Sequence, residues 1–258
     1  MEPSSRTPEG ESNRCPVCGK AVQVEPSRPP GDAPCPHCGA LLWFEPPKLR
    51  RSRFDPLKAL GINGVCLANT EITDARLRDL STLPKLYYLN LAHTHLTDGQ
   101  IASLASLSEL RDLSLCGCPI TDGALSHFKG NRDLTHLNLS YTKITDAALA
   151  ELTWFSCLKT LVLSGTKITN SGMVHLKHFP QLEDLQLGRT CVGDSGMKNL
   201  ADLRLHYLDL SGTKVTNAGL EHLKALAQLQ VLDLATTPVT DKGIRQLQQA
   251  LPNCEIER

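Results

Sequence analysis

From Ile62 to Asp241 the hydrophobic positions recur as one phrase: an apolar residue, two others, leucine, one other, leucine. A Thr and then an aliphatic-Thr-Asp group usually follow. The phrase begins at Ile62, Leu86, Leu110, Leu134, Leu158, Leu182, Leu205 and Leu229, eight times in all. The step is 24 residues, with one step of 23 between Leu182 and Leu205. Counting the first apolar residue as position 1, positions 4 and 6 alternate with polar neighbours, as in Leu89-Asn90-Leu91 and Leu208-Asp209-Leu210. Alternation predicts a strand with one face in the core. Position 9 is Thr in every repeat but the third, which has Cys118, and position 11 is Ile, Leu or Val. Thr-Asp pairs such as Thr97-Asp98 and Thr145-Asp146 come next, followed by apolar residues every third place, as in Ile101, Leu104 and Leu107. Thr and Asp favour helix starts, so each repeat reads as strand, turn, helix.

A fixed period of this length predicts a solenoid of stacked repeats, with parallel strands on the concave side and helices on the convex side. Such a stack offers a long surface and has no pocket in its plan, so binding of another macromolecule is the expected function. The position 9 side chain points inward where the strand ends. Stacked hydroxyls there are expected to serve backbone groups of neighbouring repeats. Leu57 and Leu60 precede Ile62 as Leu200 and Leu203 precede Leu205, which predicts a half-repeat helix before the first strand. Leu251–Ile256 reads as a short ninth strand. Both features would cap the open ends.

The phrase Thr/Cys-x-Ile-Thr-Asp-x-x-Leu resembles the leucine-rich repeat family, in particular its cysteine-containing subclass, also found in bacterial repeat proteins. The resemblance covers about residues 57–256 and implies a binding scaffold. Eukaryotic relatives of that subclass join the repeats to an F-box and act as substrate adaptors of ubiquitin ligases. Here residues 1–56 hold eleven of the sixteen prolines, too many for a three-helix F-box.

That Pro-rich stretch carries a second pattern: Cys15-Pro-Val-Cys18-Gly, then Cys35-Pro-His-Cys38-Gly. Each pair can form a knuckle aiming two thiolates at one point, and the Gly after it permits the positive φ that brings backbone N–H groups near the sulfurs. Two knuckles make a tetrahedral four-thiolate site suited to Zn²⁺ or a similar soft metal. With no open position for water, the expected role is structural. His37 is the alternative ligand inside the second knuckle. Residues 13–45 resemble the zinc-ribbon family, which implies short strands at Ala21–Val24 and Leu41–Phe44. So small a unit takes its folding energy from the metal.

The expected organisation is therefore an α/β chain: a disordered N-terminus (1–12), a zinc ribbon (13–45), a basic, Pro-rich linker (46–56) and a leucine-rich repeat horseshoe of eight repeats with end caps (57–258). The formal net charge is zero, so bulk charge draws the chain neither to nucleic acid nor to anionic membrane. No secretory signal or membrane span is legible. Ten cysteines without a signal point to a reducing, cytoplasmic setting with free thiols. Lys48, Arg50, Arg51 and Arg53 of the linker could meet nucleic-acid phosphates. Stacking partners are few, since Trp43 and Phe44 belong to the ribbon core and only Phe54 is left.

Positions 3 and 5 of each strand should face the concave side. Asp209 and Asp233 then become neighbours, beside Asp184 and Tyr207, and like charges opposed in a sheet are unfavourable. Asp184, Tyr207, Asp209 and Asp233 are the expected contact for a basic segment of a partner protein, with Tyr88 and His136 extending the surface. His136 beside Asp112 lacks a nucleophile and an enclosure, so no catalytic residue is assigned and a non-enzymatic role is expected. Cys116-Gly-Cys118 has poor dithiol geometry, and Cys118 reads as core filler. His93 with His95, and His175 with His178, are weaker metal candidates.

Overall fold

The structure is a computed structural model that describes residues 32–34, 41–44, 62–81, 83 and 86–258. Its leucines decide the architecture. From the second repeat on, the central residue of a three-residue strand is a buried leucine: Leu89, Leu113, Leu137, Leu161, Leu185, Leu208 and Leu232 are all at most 2% exposed, and Val65 takes that place in the longer first strand. The residues flanking these leucines stay half-buried or exposed. Consecutive leucines pair one to one, so every repeat offers its neighbour the same apolar step and the stack has a single register.

Among the described residues, eleven strands form one sheet in chain order. They are β1 Asp32–Pro34, β2 Leu41–Phe44, β3 Ile62–Cys66, β4 Tyr88–Asn90, β5 Asp112–Ser114, β6 His136–Asn138, β7 Thr160–Val162, β8 Asp184–Gln186, β9 Tyr207–Asp209, β10 Val231–Asp233 and β11 Glu255–Glu257. β3 to β11 run parallel. β2 pairs antiparallel with both β1 and β3. The sheet therefore starts with a hairpin, which covers the edge that β3 would otherwise expose. β2 coincides with the strand expected at Leu41–Phe44, and β11 overlaps the predicted ninth strand only at Glu255 and Ile256. The strand expected at Ala21–Val24, the four ribbon cysteines, the basic linker and the half-repeat helix around Leu57 and Leu60 lie outside the described residues.

Short helices line the other side: α1 Asp74–Ser81, α2 Asp98–Ile101, α3 Asp146–Glu151, α4 Asp194–Met197, α5 Asn217–Leu223 and α6 Asp241–Ala250. The convex layer is less uniformly α-helical than the expectation of one helix per repeat. Asp122–Phe128 and Gly172–His178 are 3₁₀-helical throughout, and α2, α3 and α4 continue into 3₁₀ turns at Ala102–Leu104, Leu152–Trp154 and Lys198–Leu200. The apolar spacing is compatible with this but does not decide it, since Leu220, Leu223, Leu226 and Leu229 keep the same interval where the helix, α5, is α. Met173, Leu176, Phe179 and Leu182 are all buried and three apart. A helix with three residues per turn keeps such a row on one face. In the last repeat Ile244, Leu247 and Leu251 sit at intervals of three and four, and there the helix is α throughout.

One ladder of polar side chains binds the repeats at the helix side. The Asp or Asn that follows the Thr cap of one repeat reaches forward to the next. Asp122 accepts the Thr145 backbone N–H at 2.8 Å and its hydroxyl at 2.7 Å. Asp146 does the same for Thr169, and Asp98 likewise meets Thr121. Where Gly193 replaces the Thr, Asn170 takes only the backbone N–H. Asn217 accepts the Thr240 N–H through its carbonyl and donates its amide to the Thr240 hydroxyl. The sequence reading assigned Thr-Asp only to its own helix start. The structure shows the Asp bonding the next repeat as well.

The position 9 hydroxyls correct a second expectation. The hydroxyls of Thr94, Thr142, Thr166, Thr190 and Thr213 are buried and donate to the carbonyl three residues back in their own repeat, as in Thr166 to Leu163 at 2.5 Å. They do not serve backbone groups of the neighbour, because the turn folds the strand-end carbonyl directly under them; of these, only the Thr94 hydroxyl meets the next repeat, at the Cys118 thiol 3.4 Å away. Cys118 is the exception: its thiol donates across the repeat to the Leu91 carbonyl at 3.1 Å.

Candidate functional site

Positions 3 and 5 face the concave side, as the alternation requires, since the residues between them are the buried leucines. The six residues expected to bind a partner fall on this face in two groups. Asp184 pairs in register with Tyr207, and Asp209 with Asp233. Asp233 in turn pairs with Glu257 of β11, and Val231 with Glu255. Tyr88 and His136 lie two strands apart, on either side of Asp112.

Asp184, Asp209, Asp233, Glu255 and Glu257 thus gather at the C-terminal end of the face. The four ion pairs of the described residues, Lys129–Glu151, Lys159–Glu183, Lys224–Glu221 and Arg258–Asp241, include none of them. The accumulated negative field shows at Tyr207, whose phenol is pushed above its ordinary value by burial, with Asp209, Asp233, Asp184 and Glu257 adding in the same direction. Burial also raises the Asp184 carboxyl; a hydrogen bond from Gln186 at 3.2 Å and the His136 charge oppose this, and Asp209 reinforces it. Asp112 is raised by burial and partly relieved by His136.

Two of these carboxylates also have local work. Asp209 accepts the Ser211 backbone N–H and Asp233 the Ala235 N–H, each at 2.7 Å. Asn90 and Asn138 do the same for Ala92 and Ser140. The position 5 side chain thereby pins the residue two places on. The chain then enters position 8, where every repeat has positive φ: Asn69, His93, Gly117, Tyr141, Gly165, Arg189, Gly212 and Thr236. Glycine takes that conformation without penalty, while Tyr, Arg and Thr are strained in it.

Sequence reasoning missed this row, although its signal was present: from the second repeat on, position 8 alternates between a larger residue and Gly. The alternation has a steric cause. Tyr141 lies across Gly165, its ring carbon Cδ1 2.5 Å from where a Cβ would stand, and Arg189 lies across Gly212 with Cγ at 3.2 Å. Below Tyr141 and Arg189, at the carboxyl ends of β6 to β9, is an open depression of about 350 Å³. Its lining includes Val162, Ser164, Gln186, Gly188 and Asp209.

Among the described residues no group of three or more His, Cys, Asp or Glu could hold a metal ion. His93 and His95 are both exposed, and the His93 ring approaches Cys116 at 3.8 Å instead. His175 is half-buried and His178 exposed. Cys118 is buried, as expected of core filler, and it and the other five described cysteines are free thiols. No described helix is long and apolar enough to cross a membrane.

Comparison with known proteins agrees with this geometry. The sequence pattern of the Leucine Rich repeat family matches residues 130–152, 156–177, 180–201 and 205–224. The chain is similar to the solved structure of internalin C2 from Listeria monocytogenes, with 26% identity, a TM-score of 0.64, and coverage of 78% of this chain and 82% of that one. Internalin F of the same organism, at 24% identity and a TM-score of 0.56, shares the fold over 74% of this chain and 58% of its own. No curated protein matches. The repeated body of this chain, a solenoid of parallel strands and short helices, is thus similar to leucine-rich repeat proteins.

Proposed function

We propose that this chain is a non-enzymatic, cytoplasmic scaffold that binds a partner protein on the concave face of its repeats. Asp184, Tyr207, Asp209 and Asp233 meet a basic segment of that partner, and Tyr88 and His136 extend the contact. One observation carries the reading: the carboxylates of Asp209, Asp233 and Glu257, in no ion pair among the described residues, stand in register on adjacent strands where like charges are unfavourable. A fold retains such an arrangement at a cost to its own stability, and a basic partner relieves it. The similarity to leucine-rich repeats supports the scaffold role in general terms, because stacked repeats present an extended curved surface.

Cys15, Cys18, Cys35 and Cys38 hold a structural Zn²⁺ in this reading. The second pair falls within the six residues that separate β1 from β2 in the sequence. Metal binding would thus fix the hairpin that starts the sheet. Lys48, Arg50, Arg51 and Arg53 lie outside the described residues, and no observation favours a nucleic-acid role over the scaffold.

The test is crosslinking capture from the native cell, comparing the full chain with a triple variant carrying Asp184→Asn, Asp209→Asn and Asp233→Asn. Loss of the captured partner from a variant that remains folded is the expected result. Unaltered capture together with raised stability overturns the assignment of the face.

A further inference from the structure

We infer that the depression between Tyr141 and Asp209 is a receptor for one arginine side chain of the partner. The inference rests on the concave-face reading and names the chemistry of its central contact.

Two side chains converge on the Ser164–Gly165 step from opposite sides. Tyr141 comes from the preceding repeat. Its φ of 56° carries the ring forward across Gly165, itself at 70°, and the side chain stays 52% exposed. A large aromatic residue held in a strained conformation and left open to solvent contributes little to the core. Asp209 comes from two repeats further on and leans back. Its Oδ1 is fixed by the Ser211 N–H at 2.7 Å, and its Oδ2 reaches the Ser164 hydroxyl at 3.5 Å. It crosses Gly188 to do so, passing 2.6 Å from where a Cβ would sit. The absence of a side chain at Gly188 makes room for the Asp209 carboxylate, and Gly165 makes room for the ring.

An oriented carboxylate facing an aromatic ring across a gap suits a planar cation. A guanidinium can donate to both the carboxylate and the neighbouring hydroxyl or amide oxygens while its flat face rests on the phenol ring. An ammonium has a point charge and lacks the plane, so it satisfies only part of the site. Anions are repelled by Asp209 and by Asp233 next to it. Arg189, the one cation lining the depression, lies across Gly212, with its Cγ 3.2 Å from where a Cβ would stand there.

The experiment is an amide NMR titration of the full chain with acetyl-Gly-Gly-Arg-Gly-Gly-amide and with its Lys counterpart. The Arg peptide is expected to shift the amides of Ser164, Gly165 and Gly188, and the Lys peptide to bind about five-fold more weakly. Tyr141→Ala and Asp209→Asn should each weaken the Arg peptide by about ten-fold. Asn at 209 can still accept the Ser211 N–H, so this variant separates loss of charge from loss of fold. Gly188→Thr keeps every charge but pushes the Asp209 carboxylate out of the place it holds over Gly188, and should abolish the response. The inference is overturned if those amides stay unmoved, if Lys binds as tightly as Arg, or if Tyr141→Ala and Gly188→Thr bind like the unaltered chain. If partner capture needs Asp184 and Asp233 yet ignores Tyr141 and Gly188, the face is the docking surface and the arginine receptor is refuted.

Discussion

The Asp194 carboxylate takes both the backbone N–H and the hydroxyl of Thr216, one repeat away, each at 2.7 Å. Its first oxygen also accepts the Gly219 N–H at 3.0 Å. One carboxylate therefore organises the first turn of α5 from the preceding repeat. Asp194→Ala is expected to destabilise the solenoid by about 1–3 kcal/mol, because it strands these donors at a half-buried helix start. Asp194→Asn should cost less, since the natural pair Asn217–Thr240 shows an amide filling the same place with its donor and acceptor divided between N–H and hydroxyl. Urea denaturation midpoints of the two variants check the order.

The buried Thr hydroxyls make a weaker demand. The Leu163 carbonyl that accepts from the Thr166 hydroxyl also accepts the Thr166 backbone N–H at 3.3 Å. Thr166→Val should therefore cost only about 1 kcal/mol. Combining it with Thr190→Val and Thr213→Val should give roughly the sum, because each hydroxyl serves its own repeat. Strong non-additivity in thermal melts would mean that the row acts as a ladder between repeats, as the sequence reading expected.

Asp184 links stability to pH. Its carboxyl is raised above the ordinary 3.8, chiefly by burial, so the native state holds the proton more tightly than the unfolded chain does. Its contribution favours folding at acid pH, below the unfolded value, and is lost as pH rises through the folded one. At neutral pH the charged form opposes folding. Asp184→Asn should then raise the denaturation midpoint at neutral pH, and the gain should vanish below about pH 3.8.

Position 8 separates strain from packing. Arg189→Gly should stabilise the fold by about 1 kcal/mol by relieving the left-handed conformation, whereas Arg189→Ala keeps the strain and should not. Calorimetric melts of the two variants read the difference.

The repeat register, the concave placement of Asp184, Tyr207, Asp209 and Asp233, and β11 were legible because each follows from where leucine sits in a fixed period. Helix type at Gly172–His178 was not legible: the interval of three recurs at Leu220, Leu223 and Leu226, where the helix is α. The Asp146–Thr169 bond was hidden because a Thr-Asp pair signals a helix start whether its carboxylate serves its own turn or the next. The Tyr141–Gly165 pair needed two columns of the repeat to be read together, since each residue alone is an ordinary turn residue. Ser164 meeting Asp209 across Gly188 spans 45 positions and depends on stacking geometry that no local pattern encodes.

Site-directed photo-crosslinking inside the native cell tests the concave-face account most directly. A photoreactive residue would be placed at Thr160 or Gln186 on the strands, and at Asp202 or Glu221 on the outer side. Adducts with a protein partner should form from the two strand positions and not from the outer two. Adducts confined to Asp202 and Glu221 would show that the partner sits on the convex side and would contradict the account.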